Sequence, residues 1–118
     1  MNNKEIELFK EALNSASNEF YIESINSFNN LIHLFPESDL VDDAYFNIGL
    51  CYFRMNHFEK AIDSYNIVIN DYPESTISEL EFSESGKTAA KCHYAILNCY
   101  LALNLLEEAK SELEKAKK

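Results

Sequence analysis

Residues 42–75 read DDAYFNIGLCYFRMNHFEKAIDSYNIVINDYPES. Tyr45, Ile48 and Tyr52 recur at spacings of three and four, which is one face of a helix. A second helical run carries Ala61, Tyr65 and Val68. Gly49 and Ala61 are small, as they must be where two packed helices approach most closely. Pro73 cannot continue the second run and ends it. The stretch therefore predicts a helical hairpin with a defined end.

Working outward, the same pattern returns on both sides. Phe35-Pro36-Glu37-Ser38 matches Tyr72-Pro73-Glu74-Ser75, and Phe28, Leu31 and Ile32 stand before the first proline as Tyr65, Val68 and Ile69 stand before the second. At a shift of 48 residues, Ile48, Cys51, Tyr52, Asn56, Ala61 and Tyr65 map to Ile96, Cys99, Tyr100, Asn104, Ala109 and Leu113. Asn56 and Asn104 fall between the helices of their hairpins, where a left-handed residue is expected and Asn tolerates it best. Leu97 replaces Gly49 in the third copy, so a looser approach is expected there. The first copy has a convincing second helix in Tyr21, Ser24, Ile25, Phe28, Leu31 and Pro36, but only Leu8, Ala12, Ser15 and Ala16 in its first. Degenerate terminal units are usual at the end of a solenoid.

The skeleton of residues 42–75 resembles the tetratricopeptide repeat, a 34-residue unit with the pattern W-x2-L-G-x2-Y, a central Ala, an aromatic and a closing Pro. The resemblance implies an all-α fold: a right-handed α-solenoid of three helix-turn-helix hairpins in a single domain spanning 1–118. Repeat 1 is expected at about 5–38, repeat 2 at 42–75 and repeat 3 at 90–118, with an insertion at 76–89. In the insertion, Thr76 with Glu79 looks like a capping box for a short helix over Thr76–Phe82, broken at Ser85-Gly86. The last helix, from about Leu105 to Lys117, is expected to turn Leu106, Ala109, Leu113 and Ala116 inward and to serve as its own solubilising cap.

The family's first helices line a concave groove that binds protein segments. Carried over position by position, the groove residues are Asp43, Phe46, Asn47, Leu50, Phe53 and Arg54 in repeat 2, and Lys91, Tyr94, Asn98, Leu101 and Ala102 in repeat 3. Ile6, Phe9 and Leu13 are their counterparts in repeat 1. Helix A of repeat 2 is thus apolar on two sides. One side makes the core, and the other must face a partner, another copy or the neighbouring repeats. The branch of the family that clamps chaperone-tail carboxylates uses five polar groove side chains. Only Asn47 and Lys91 match them, while Phe9, Leu13 and Ala95 stand at the rest, so that ligand is disfavoured. The Pro-Glu-Ser ends are similar to bacterial envelope-associated repeats, and the small acidic layout is similar to type III secretion chaperones.

The 118 residues suit one domain. A hydrophobic fraction of 47% with 25% charged residues argues against disorder. Twenty Asp and Glu face ten Lys and Arg, a net charge of -10, which speaks against nucleic-acid binding and adhesion to anionic membrane. Two Gly and two Pro are too few for a turn-rich β-sandwich. The longest stretch free of charged side chains, Cys92 to Leu106, has 15 residues, short of the roughly 20 a spanning helix needs. Charges interrupt the amino terminus at once, so a cytoplasmic location is expected, with no membrane insertion. Cys51, Cys92 and Cys99 are odd in number and read as buried reduced thiols where first helices pack on the preceding repeat.

Other motifs have plain readings. Gly86-Lys87-Thr88 echoes the tail of a phosphate loop, but Glu81 stands where the earlier Gly is needed. Cys92, His93 and Cys99 lack the tight spacing of zinc ligands. His33, His57 and His93 are scattered, with no acid and nucleophile beside them in sequence; His57 is expected to help cap the helix that follows it. Asp42/Asp43 and Glu107/Glu108 read as solvated helix starts. Neither an enzyme nor a metal or cofactor is expected.

Function then follows from the resemblance: a protein-interaction scaffold or adaptor that takes a peptide or protein segment in its groove. A self-assembly module forming homo-oligomers and a small secretion-chaperone-like protein are the alternatives. Residues 1–89 carry a net charge of -11 and residues 90–118 carry +1. An acidic rim of that kind suits a basic partner with apolar anchors, steered in by charge and held by the groove.

Overall fold

The computed structural model describes residues 3–73 and 87–117. These residues form six helices: α1 (Asn3–Ser17), α2 (Tyr21–Leu34), α3 (Val41–Arg54), α4 (Phe58–Asp71), α5 (Lys87–Ala102) and α6 (Leu106–Ala116). No strand occurs among the described residues. Each helix packs on its neighbours in chain order, so the chain is an α-solenoid of helical hairpins. The short helix expected over Thr76–Phe82 and the break at Ser85-Gly86 lie outside the described residues. The first helix of the third hairpin begins at Lys87, three residues before the expected edge of the repeat.

One turn is used three times. After α3, Asn56 takes φ 64°, its N–H donates to Phe53 O at 3.0 Å, and the His57 N–H donates to Tyr52 O at 2.8 Å. This is a Schellman turn, which satisfies carbonyls that the helix end would leave unpaired. Asn104 (φ 62°) and Leu105 repeat it after α5. Glu19 (φ 65°) and Phe20 repeat it after α1, with the Phe20 N–H donating to Ser15 O at 2.8 Å. The two asparagines were legible as turn residues. Glu19 was not, because a glutamate carries no preference for the left-handed region.

The ends of the second helices follow from the prolines. Phe35 and Tyr72 precede Pro36 and Pro73 and sit at φ -133° and -134°. A residue before proline is pushed out of the helical region, and α2 and α4 stop there.

Burial divides into two clusters, one at each joint between hairpins. The first gathers Leu8, Ala12, Ile25, Phe28 and Leu31 of hairpin one with Val41, Ala44, Ile48 and Cys51 of α3. The second gathers Ala61, Ile62, Tyr65 and Val68 of α4 with Cys92, Ile96 and Cys99 of α5. The three thiols are thus free, buried and on the faces that first helices turn to the preceding hairpin, as the sequence implied.

Within the hairpins, one pair of positions is filled in three ways. Gly49 faces Tyr65, and by alignment Ala12 with Phe28 and Leu97 with Leu113 hold the equivalent places in the other two copies. A Cβ built on Gly49 would lie 2.5 Å from Tyr65 Cε1, so the glycine makes room for the ring. In the third hairpin Leu113 stands where Tyr65 does, and Leu97 and Leu113 are both half-buried.

α6 departs from its expected inward face. Ala109 is buried and Leu113 and Ala116 are half-buried, but Leu106 is 56% exposed. Glu112 is buried instead, because the inward stripe runs through 109, 112, 113 and 116 rather than through 106.

Candidate protein-interaction site

Five of the groove positions proposed on α3 fall into two groups. Asn47, Leu50 and Arg54 of α3 come together with Leu13 and Ala16 of α1, the Asn18–Glu19 turn and Tyr21 of α2. They line an open cleft of about 610 Å³. Leu50 and Cys51 line it, and its polar groups include Arg54, Asn47, Ser17, Asn18 and Glu19. Asn47 donates from Nδ2 to Asp43 O at 2.8 Å, which holds the amide along α3. Leu13, 38% exposed, offers an apolar edge.

Phe46 and Phe53 form the other group. Both are half-buried in the second cluster. Phe46 meets the Tyr65 ring at 5.7 Å between centroids, and Phe53 meets Phe58 edge-on at 5.3 Å. The second apolar side of α3 is therefore covered in large part by α4 of its own hairpin, beside the cluster that α4 shares with α5. On α1, Phe9 likewise packs edge-on against Phe28 at 5.6 Å. On α5, Lys91, Tyr94, Asn98, Leu101 and Ala102 are all exposed. Ile6 and Asp43 are half-buried, and Leu13 opens on the cleft.

Two family models, both described as tetratricopeptide repeat, match residues 43–75 and 90–118, together more than half of the chain. The chain belongs to the tetratricopeptide repeat family. Tetratricopeptide repeats are in general protein-interaction modules, commonly without enzymatic activity. No curated protein matches the chain. The first hairpin lies outside both matched spans, but it has the same Schellman turn and the same proline stop as the second tetratricopeptide hairpin.

Four polar contacts in this tetratricopeptide chain were not read from the sequence. His93 Nδ1 donates to Glu112 Oε2 at 2.8 Å across α5 and α6, and Lys115 Nζ donates to Glu112 Oε1 at 3.2 Å. The clue was available: 112 is the counterpart of the buried Ser64, and a carboxylate at a buried position needs partners. Ser24 is the other case. It replaces the small Ala61 and Ala109 of the other repeats, and its Oγ donates to Ala12 O at 2.7 Å. The Cys51 Sγ donates to that same Oγ at 3.6 Å. His57 does not act as expected. It occupies the N-cap of α4 but makes no capping hydrogen bond through its side chain; its ring stacks on Tyr52 at 6.2 Å.

Burial sets the chemistry of the thiols. It pushes Cys92 up to about 12 and Cys99 up to about 11. Cys51 is also raised, again mainly by burial, with the Ser24 hydrogen bond and Arg54 opposing. Thiols held protonated are poor nucleophiles and poor metal ligands. Among the described residues no three His, Cys, Asp or Glu side chains are placed to hold a metal ion. No helix among them is long and apolar enough to cross a membrane.

Proposed function

We propose that this chain is an interaction scaffold that binds a peptide or protein segment along the face shared by α1, α3 and α5, with the cleft between Leu13 and Arg54 as its main pocket. The observation that supports this most is the composition of that cleft. Leu13 and Leu50 leave apolar surface open to solvent beside Arg54 and Asn47. Apolar anchors with a few orienting polar groups are what peptide-binding pockets offer. Asn98 and Ala102, the counterparts of Leu50 and Arg54, extend the same face onto α5, and Lys91 stands at its start. The acidic charge of residues 1–89 favours a basic segment, in a protein working in the cytoplasm.

The test uses a displayed library of random peptides selected on the intact protein. Binders should be basic and carry bulky apolar side chains, and Leu50→Asp should abolish their capture while helicity is retained. Raising salt from about 0.05 to 0.5 M should slow association several-fold and leave dissociation nearly unchanged. Binders that ignore Leu50→Asp would refute the cleft. A dimer that loses its stability on Leu50→Asp would favour self-assembly through this face instead.

A further inference from the structure

Aligning the three hairpins by position shows how each joint is built. The C-terminal face of hairpin one is Phe9, Ala16, Tyr21, Ile25 and Ile32, all in the cluster with α3. The same five positions in hairpin two are Phe46, Phe53, Phe58, Ile62 and Ile69, all in the cluster with α5. In hairpin three they are Tyr94, Leu101, Leu106, Lys110 and Lys117. None of these is covered: Tyr94 is 47%, Leu101 49% and Leu106 56% exposed, and both lysines are exposed.

The opposite end differs. The side chains that α3 and α5 turn to the preceding hairpin are Ala44, Ile48, Cys51 and Cys92, Ile96, Cys99. Their counterparts on α1 are Glu7, Glu11 and Asn14, all exposed. That face of hairpin one is polar, whereas the open face of hairpin three is largely apolar with two lysines.

We infer that the face formed by Tyr94, Leu101, Leu106, Lys110 and Lys117 is a docking surface for an acidic amphipathic helix of a partner protein, laid chiefly against α6 as α5 lies against α4. The two existing joints define the occupant's apolar stripe: a small residue, a branched one four positions on, and a small one three further. Small side chains let the helix axes approach. The lysines define its flanks. They replace the isoleucines of the other joints, so their stems cover apolar surface while their ammonium groups reach the rim, where carboxylates of the occupant would meet them. Their present partners, Glu107 at 3.6 Å and Glu114 at 3.7 Å, are exposed neighbours on the same helix, and such pairs are weak and easily exchanged. Another copy of this chain fits poorly end to end, because α1 offers Glu7 and Glu11 but no apolar stripe. The inference is independent of the cleft between α1 and α3.

The chain supplies its own probe. A labelled peptide of residues 37–56 carries four carboxylates ahead of the stripe formed by Ala44, Ile48 and Cys51, with Cys51→Ala introduced to prevent oxidation. Fluorescence anisotropy with the intact protein should show saturable binding. Leu106→Glu should weaken it at least tenfold, Lys110→Glu with Lys117→Glu should weaken it several-fold, and Leu50→Asp in the cleft should leave it unchanged. All three substituted side chains at α6 are exposed, so circular dichroism should report native helicity; the lysine variant alone decides the matter if Leu106→Glu does not fold. The inference is overturned by absence of saturable binding, by binding that survives both α6 variants, or by binding lost to Leu50→Asp alone. It is also overturned if sedimentation finds a wild-type dimer that Leu106→Glu converts to monomer, since a second copy would then own the face.

Discussion

Gly49→Ala should destabilise the protein although alanine is the better helix former. The added Cβ would lie 2.5 Å from Tyr65 Cε1 and 2.8 Å from its Cδ1 and Cζ. Carbon atoms pack at about 3.5–4.0 Å, so the ring must retreat by roughly 1 Å. It has nowhere to go: Tyr65 is 1% exposed and Phe46 rests against it at 5.7 Å. Overpacking of this kind costs about 1–3 kcal/mol. Removing a mid-helix glycine returns about 0.5–1 kcal/mol. The net loss should be about 1 kcal/mol, or about 4 °C in Tm for a domain of this size. Urea unfolding followed by circular dichroism measures it. The third hairpin supplies the control, since it holds Leu113 where the second holds Tyr65. In a Tyr65→Leu background the clash is gone, and Gly49→Ala should become neutral or stabilising. The two substitutions should therefore couple by about 1–2 kcal/mol. A Gly49→Ala protein more stable than wild type, with no coupling to Tyr65→Leu, would refute the close-approach argument.

Four further outcomes are expected. Glu19→Gly should stabilise the protein by about 0.5–1 kcal/mol, measured by the same unfolding assay, because it relieves a left-handed glutamate in the first turn. His93→Ala should destabilise it by about 1–3 kcal/mol by leaving the buried Glu112 carboxylate with Lys115 alone, and Glu112→Gln should recover part of that loss in the double variant. Burial raises Cys92 to about 12 and Cys99 to about 11, above their value of 9.0 in the unfolded chain. Below pH 9 the thiols are protonated in both states and add no pH dependence. Above it the unfolded chain loses protons that the native state keeps, so Tm should fall from pH 9 toward 11–12. Thiol-labelling reagents at pH 8 should react with the three cysteines at the rate of unfolding; immediate labelling of the native protein would contradict their burial.

The hairpins were legible in the sequence because each depends on local rules. A proline before which no helix continues, an asparagine that accepts a left-handed turn, and an apolar stripe at helical spacing act within a few residues. The family's skeleton from Tyr45 to Pro73 and the burial of three cysteines follow from those rules and their repetition. What α3 does with its second apolar side was not local. Phe46 and Phe53 look like groove anchors until α4 is folded back on α3, where the rings meet Tyr65 and Phe58 at the edge of the cluster that α4 shares with α5. The same dependence explains α6. Its helix pattern allows either Leu106 or Glu112 to turn inward, and the choice falls to the rotation of α6 against α5, where His93 meets the carboxylate. Which apolar residues remain in solvent is likewise set by the stack. Tyr94, Leu101 and Leu106 hold the positions that are covered in the first two hairpins, and they are exposed because in the third hairpin those positions are left open.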